Sequence, residues 1–151
     1  MIDDGKVAVV IVPLRWRDLD YQGHVYHGVM LTLLDEARTE FFGDYLTIDK
    51  PDAYVIVRIE IDYFAETHRQ ASPVSVEFHT ARVGNSSLTT SETVRLPDGT
   101  VAARALVTSV LWNSEAGKPR PISDAERAAA AEYATSPHTG DDSPSVAGVV
   151  R

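Results

Sequence analysis

The stretch Arg15-Trp-Arg-Asp-Leu-Asp-Tyr-Gln-Gly-His-Val-Tyr-His27 gathers two carboxylates, Asp18 and Asp20, a glycine and two histidines, His24 and His27, in one short loop that runs into a helix start. Acids and imidazoles at such spacing suit proton transfer or nucleophilic attack. The helix opens through Gly23-His-Val-Tyr-His-Gly28 with no Ser, Thr, Asp or Asn at the expected cap, so its first N–H groups lack the usual local acceptor. A bare helix N-terminus of this kind can receive an anion or a developing oxyanion. Water or a distant side chain would cap it equally well. Asp18 reads first as a turn residue accepting backbone N–H bonds, and the same turn role competes for Asp20.

The elements that position this loop are legible from periodicity. Lys6 to Arg17 is rich in Val, Ile and Trp, with Pro13 late in the run, and reads as an edge strand or one with a bulge. From about Tyr26 to Phe42 the apolar residues Tyr26, Met30, Leu33, Leu34, Ala37 and Phe41 fall at helical spacing, with Gly43 as the stop and Asp35, Glu36, Arg38 and Glu40 on the opposite face. Tyr54 to Phe64 alternates, which predicts Val55, Val57, Ile59, Ile61 and Tyr63 on a buried face and Arg58, Glu60 and Asp62 on a polar one. Val74–Val83, Leu88–Leu96 and Val101–Leu111 are three more strands, separated by the turns Gly84-Asn-Ser-Ser87 and Pro97-Asp-Gly-Thr100. Strand, helix and four antiparallel strands give an α+β class in which the sheet buries its apolar face against one long helix. Beyond Trp112, Ser123-Asp-Ala-Glu126 has the form of a capping box before a short helix, Ala125 to Ala134, and Ser136 to Arg151 reads as a disordered tail. The expected organisation is a domain over 1–112, an extension over 113–135 and the tail over 136–151.

Asp18-x-Asp20-x-x-Gly23-x-Val25-Tyr26-His27, followed by a helix ending Leu34-Asp-Glu-Ala-Arg38, resembles the 4-hydroxybenzoyl-CoA thioesterase family of hot-dog proteins. Arg58-Ile-Glu-Ile-Asp-Tyr63 and Arg82-Val-Gly-Asn-Ser-Ser-Leu88 extend the resemblance, which covers roughly residues 8 to 112. It implies a hot-dog fold, an antiparallel sheet wrapped around a central helix. It also implies hydrolysis of an acyl-CoA thioester, with Asp20 as nucleophile or general base and backbone N–H groups around Tyr26, His27 and Gly28 polarising the carbonyl. His27 would orient water or the carbonyl, Tyr26 and Val25 would line the acyl pocket, and Arg82 with Asn85, Ser86 and Ser87 would contact the nucleotide of coenzyme A. Arg58, Arg69 and Arg104 are further cations that the sequence does not rank. Glu36 is the second catalytic candidate, because some hot-dog thioesterases place their acid on the helix; as a surface acid it would pair with Arg38 or an adjacent strand. The resemblance further implies a homodimer or homotetramer with sites between subunits, acting on a thioester of coenzyme A or of acyl carrier protein.

Competing readings are an enoyl-thioester hydratase or dehydratase and a non-catalytic acyl-thioester binder. Three residues separate Asp20 from His24, one short of the D-x4-H spacing associated with the hydratase group. The composition narrows the field further. A net charge of −8, with Lys and Arg numbering 14, argues against a nucleic-acid binder. The absence of cysteine excludes disulfides, thiolate metal sites and a cysteine nucleophile, and fits a cytoplasmic setting. The run Val7 to Leu14 is too short to cross a bilayer. No cofactor is expected. For metals, His24 and His27 at i, i+3 lack further acids at ligand spacing, so no metal site is expected either. No G-x-S-x-G element supports a serine triad.

Overall fold

The computed structural model describes residues 6–48 and 53–135; the tail expected from Ser136 lies outside them. A sheet runs in the order β1 (Ala8–Val12), β3 (Val74–Val83), β4 (Ser87–Arg95), β5 (Val101–Asn113), β2 (Tyr54–Tyr63), all neighbours antiparallel, with the two-residue β6 (Lys118–Pro119) pairing with β5. Helix α1 (His27–Glu40) packs Met30, Leu33, Leu34 and Ala37 into one core with Val10, Val76, Phe78, Val94, Ala105 and Val107 from the sheet. This is the hot-dog arrangement of the α+β class.

Local chemistry explains where elements begin and end, and where they depart from expectation. β1 stops at Val12, well short of Arg17, because Pro13 has no N–H to continue the ladder. Gly43 does not stop the helix. The chain goes on through a π-helical turn, Phe41–Tyr45, that buries both Phe41 and Phe42. The tight turns at 84–87 and 97–100 join β3 to β4 and β4 to β5 as expected.

Two expectations about faces are overturned. Arg38 is not on a polar helix face but is 2% exposed. Its Nε and Nη2 donate to the two carboxylate oxygens of Glu92, at 2.8 and 2.7 Å, and Glu92 in the middle of β4 is itself fully buried. Thr90 Oγ1 donates to Glu92 at 2.7 Å and Arg38 Nη1 to Asp35 at 3.1 Å, so the pair is closed by hydrogen bonds. Burial pushes the Glu92 carboxyl up, opposed by the guanidinium. For Arg38, burial works against the charge, but the bonds and charge of Glu92 outweigh it and raise its pKa.

The second correction concerns β2. Its pairing with β5 slips between Ile56 and Arg58, leaving Val57 as a bulge. Tyr54 and Ile56 stand opposite the buried Leu111 and Ser109. After the bulge, Ile59, Ile61 and Tyr63 stand opposite the buried Val107, Ala105 and Ala103. Cross-strand partners share a face, so the inward set is Tyr54, Ile56, Ile59, Ile61 and Tyr63, and the extra residue switches the alternation. This face is not fully buried either: Ile59 is 39% and Tyr63 37% exposed, because β2 is an edge strand.

Helix α2 (Asp124–Glu132) is capped as its sequence predicts. Ser123 Oγ accepts the Glu126 N–H, and Glu126 Oε1 accepts the Ser123 N–H. The extension packs back on the domain, with Tyr133 edge-on to Phe41 and its carbonyl accepting the Thr80 N–H. Among the described residues no helix is long and apolar enough to cross a membrane.

Candidate active site

The loop before α1 is a closed turn. Asp20 N–H donates to the His24 carbonyl at 2.7 Å, Gly23 N–H to the Asp20 carbonyl at 3.0 Å, and Leu19 bridges to Val25. Gly23 sits at φ +80, a conformation that favours glycine. Asp20 Oδ1 accepts the backbone N–H groups of Gln22 and His24 at 2.9 and 3.1 Å. Its Oδ2 has no hydrogen-bond partner among the described residues. The carboxylate therefore has both a turn role and an oxygen to spare. Asp18, by contrast, is wholly committed: it is buried and accepts from the Arg15 backbone N–H, at 2.8 Å, and from its guanidinium.

The loop is held to the segment after β2. Val25 N–H donates to the Thr67 carbonyl at 2.7 Å, and His24 forms an antiparallel bridge with His68. Between the two lies a cavity of about 260 Å³. Asp20, His24, Val25, Tyr26, His27 and Met30 form one wall, and Tyr63, Phe64, Ala65, Glu66 and Thr67 the other. The start of α1 thus opens on the cavity. Tyr26 occupies the cap position without a side-chain cap bond, and the first helical bond is Met30 N–H to the Tyr26 carbonyl. The N–H groups of His27, Gly28 and Val29 precede it, as the donors a helix cannot satisfy internally. Gly28 lies beneath the Tyr26 ring, where an added Cβ would stand 3.0 Å from Cε1. The Tyr26 and His27 rings are 4.1 Å apart. Tyr63 donates its hydroxyl to the His27 carbonyl, and burial pushes that phenol up.

Asp20, Val25, Tyr26 and His27 are thus brought together, with Gly28 behind Tyr26. The other proposed site residues lie elsewhere. Glu36 is on the exposed side of α1 and accepts from Arg15 Nη2 at 3.0 Å, not from Arg38. Arg82, Asn85, Ser86 and Ser87 are at the opposite end of the sheet. Ser87 aligns with Val110, beside the Tyr54 end of β2, whereas the cavity lies at the Tyr63 end. Nine strand steps of about 3.3 Å put roughly 30 Å between them. Carbonyls of Gly84, Asn85 and Ser86 are taken up by Arg127, Ile122 and Leu111.

Sequence spacing missed the far wall. Thr67 is 3% exposed and its hydroxyl has no hydrogen-bond partner among the described residues. Glu66 and His68 stand beside His24, with carboxylate-to-imidazole distances of 3.6 and 3.7 Å. His24 therefore meets these two rather than its sequence neighbour His27. Nothing in the spacing signals this, since a tertiary bridge creates it.

Comparison with known proteins identifies the family. Residues 14–130 match the family model of the thioesterase-like superfamily. A thioesterase from Thermus thermophilus, solved complexed with coenzyme A and Zn, is 31% identical, with a TM-score of 0.72 over 83% of this chain and 98% of that one. A protein from Bacillus stearothermophilus described as a predicted thioesterase is 26% identical, with a TM-score of 0.77 over 88% of this chain and all of that one. The 1,4-dihydroxy-2-naphthoyl-CoA thioesterase of Synechocystis shares the fold at 17% identity, with a TM-score of 0.68 over 83% of this chain and 96% of its own. No curated protein matches. With the family model spanning the loop, the helix, strands β2 to β6 and most of α2, this chain belongs to the thioesterase-like superfamily.

Proposed function

We propose that this protein hydrolyses an acyl-CoA thioester to a free acid and coenzyme A, with Asp20 as the catalytic carboxylate. The observation that carries the reading is the shared cavity: Asp20 and the uncapped start of α1 line the same space. Two backbone N–H bonds to Oδ1 hold the Asp20 carboxylate in one orientation and leave Oδ2 for chemistry. As general base it takes a proton from water as the oxygen attacks the thioester carbon; as nucleophile it forms a mixed anhydride that water then opens. In either route the carbonyl oxygen becomes an oxyanion, for which the N–H groups at His27, Gly28 and Val29 are preorganised donors. Collapse expels the coenzyme A thiolate. His27 and the apolar wall of Val25, Tyr26 and Met30 orient the acyl group.

The coenzyme A complex of the Thermus relative supports a coenzyme A thioester as substrate. The working unit in this proposal is a homodimer. β2 is a sheet edge whose inward face is only partly covered, which invites a second copy. Pairing β2 antiparallel with its own copy across a two-fold axis sets the partner's Tyr54 end beside this chain's Tyr63 end. The partner's 82–87 turn then approaches the cavity that this chain's own turn cannot reach, and supplies the cation and polar groups for the nucleotide.

The test is thiol release from short, long and aromatic acyl-CoAs by wild type and a folded Asp20→Asn. A loss of at least ~100-fold is expected. Unchanged turnover in the variant would overturn the role of Asp20, and no hydrolysis by the wild type would overturn the activity itself.

A further inference from the structure

We propose that His24, Glu66 and His68 form a binding site for a divalent transition-metal ion, best matched by zinc. His24 converges here with Glu66 and His68, more than 40 positions on, and one potential ligand atom from each lies within 4.8 Å of the others. The imidazole Nε2 atoms of His24 and His68 lie 3.6 and 3.7 Å from the same carboxylate oxygen, Glu66 Oε2. Those separations exceed a hydrogen bond. They are close to what a shared ion produces, since tetrahedral zinc with bonds of about 2.0–2.1 Å spaces its ligand atoms roughly 3.4 Å apart. The two rings meet edge to face with centroids 4.3 Å apart, so closing the remaining gap needs only small side-chain rotations.

The scaffold is rigid where it matters. The His24–His68 bridge and the Val25 N–H bond to Thr67 fix both segments at backbone level. Glu66 and His68 are two apart, which on an extended stretch sends both side chains to one side.

Two neutral imidazoles and one carboxylate are a ligand set zinc accepts, and three protein ligands leave a position open, as in zinc sites that do chemistry rather than hold a fold. That position has somewhere to face, because His24 and Glu66 line the cavity. The ion would add positive charge to a cavity that otherwise presents the carboxylates of Asp20 and Glu66 in a protein of net charge −8. An anionic thioester entering this cavity needs that offset. The site is defined by its ligands alone and does not depend on the hydrolytic reading.

The test uses tag-free, full-length protein stripped with a chelator, without any thioester present, so its outcome is separate from that of the activity assay. Zinc is titrated calorimetrically, and Co2+ is added as a spectroscopic probe of coordination, with Mg2+ as the oxygen-seeking control. One zinc per chain at micromolar affinity or tighter is expected, with visible Co2+ bands of a tetrahedral site and no Mg2+ binding. His68→Ala and Glu66→Gln, both at half-exposed positions, should each weaken zinc by at least about 10-fold, the lower end of what even outer-shell changes cost. Absence of zinc binding by the wild type, or binding unaltered in both folded variants, would overturn the proposal.

Discussion

The Tyr63 hydroxyl donates to the His27 carbonyl oxygen at 2.6 Å, which fastens the last residue of the edge strand to the first residue of the central helix. The two walls of the cavity are thereby tied at the point where the helix N–H groups emerge. Tyr63→Phe keeps the ring and removes the tie. We expect a stability loss of about 1 kcal/mol in urea denaturation and a fall in kcat of about 5-fold, the equivalent of one such bond. An unchanged kcat would show that the helix start is positioned without it.

The Arg38–Glu92 pair is buried from both sides, so removing one partner strands the other charge. Glu92→Gln and Arg38→Met should each cost about 3–5 kcal/mol. Replacing both with apolar residues of similar volume should cost less than either single change. Denaturant midpoints of the two single variants and the double variant decide this, and a double variant as unstable as the sum of the singles would contradict it.

The Glu126 carboxyl is lowered from an ordinary 4.5 to about 2, chiefly by hydrogen bonds from Arg120 and further by those from Ser123, against a smaller opposing effect of burial. A carboxyl with a depressed folded pKa contributes stability that is complete above its unfolded value and fades as pH falls toward the folded one. Glu126→Gln should therefore be less stable than wild type at pH 7, by about 1 kcal/mol as for a lost cap. The difference should shrink between pH 4.5 and 2, read from urea midpoints across that range.

At Gly28 two effects oppose. Alanine is favoured over glycine in a helix by about 1 kcal/mol, but its Cβ would meet the Tyr26 ring at 3.0 Å. Tyr26 is half exposed and can swing aside, so Gly28→Ala should leave stability within about 1 kcal/mol while changing the shape of the acyl wall. The expected signature is a raised KM for the preferred acyl-CoA at nearly unchanged Tm.

Ile59→Lys places a charge on the partly covered inward face of β2. If two copies pair there, sedimentation should show the wild type as a dimer and the variant shifted to monomer, with thiol release falling in parallel. A variant that remains dimeric would place the interface elsewhere.

Much of this architecture is legible in the sequence because its signals are local. Pro97-Asp-Gly-Thr100 must turn, Ser123 and Glu126 cap each other three residues apart, and Met30, Leu33, Leu34 and Ala37 trace one helical face. The Asp20 loop is legible for the same reason, since its acid, glycine and helix start are contiguous. The rest depends on partners distant in the chain. Arg38 looks like a surface cation until Glu92, 54 positions on, appears opposite it. Glu66, Thr67 and His68 acquire meaning only when the loop at His24 bridges to them. Gly43 is a helix stop only if the chain has nowhere to bury Phe42 and Leu46, and here it does.

The bulge at Val57 governs the parity of the edge strand. Were Val57 drawn into regular pairing, every residue after it would exchange sides: Arg58, Glu60 and Asp62 would turn toward the apolar interior, and Tyr63 would point away from His27. Deleting Val57 altogether, by contrast, would preserve the parity and the tether. The strand is thus more vulnerable to being straightened than to being shortened by one residue, and the cavity depends on an odd residue outside its lining.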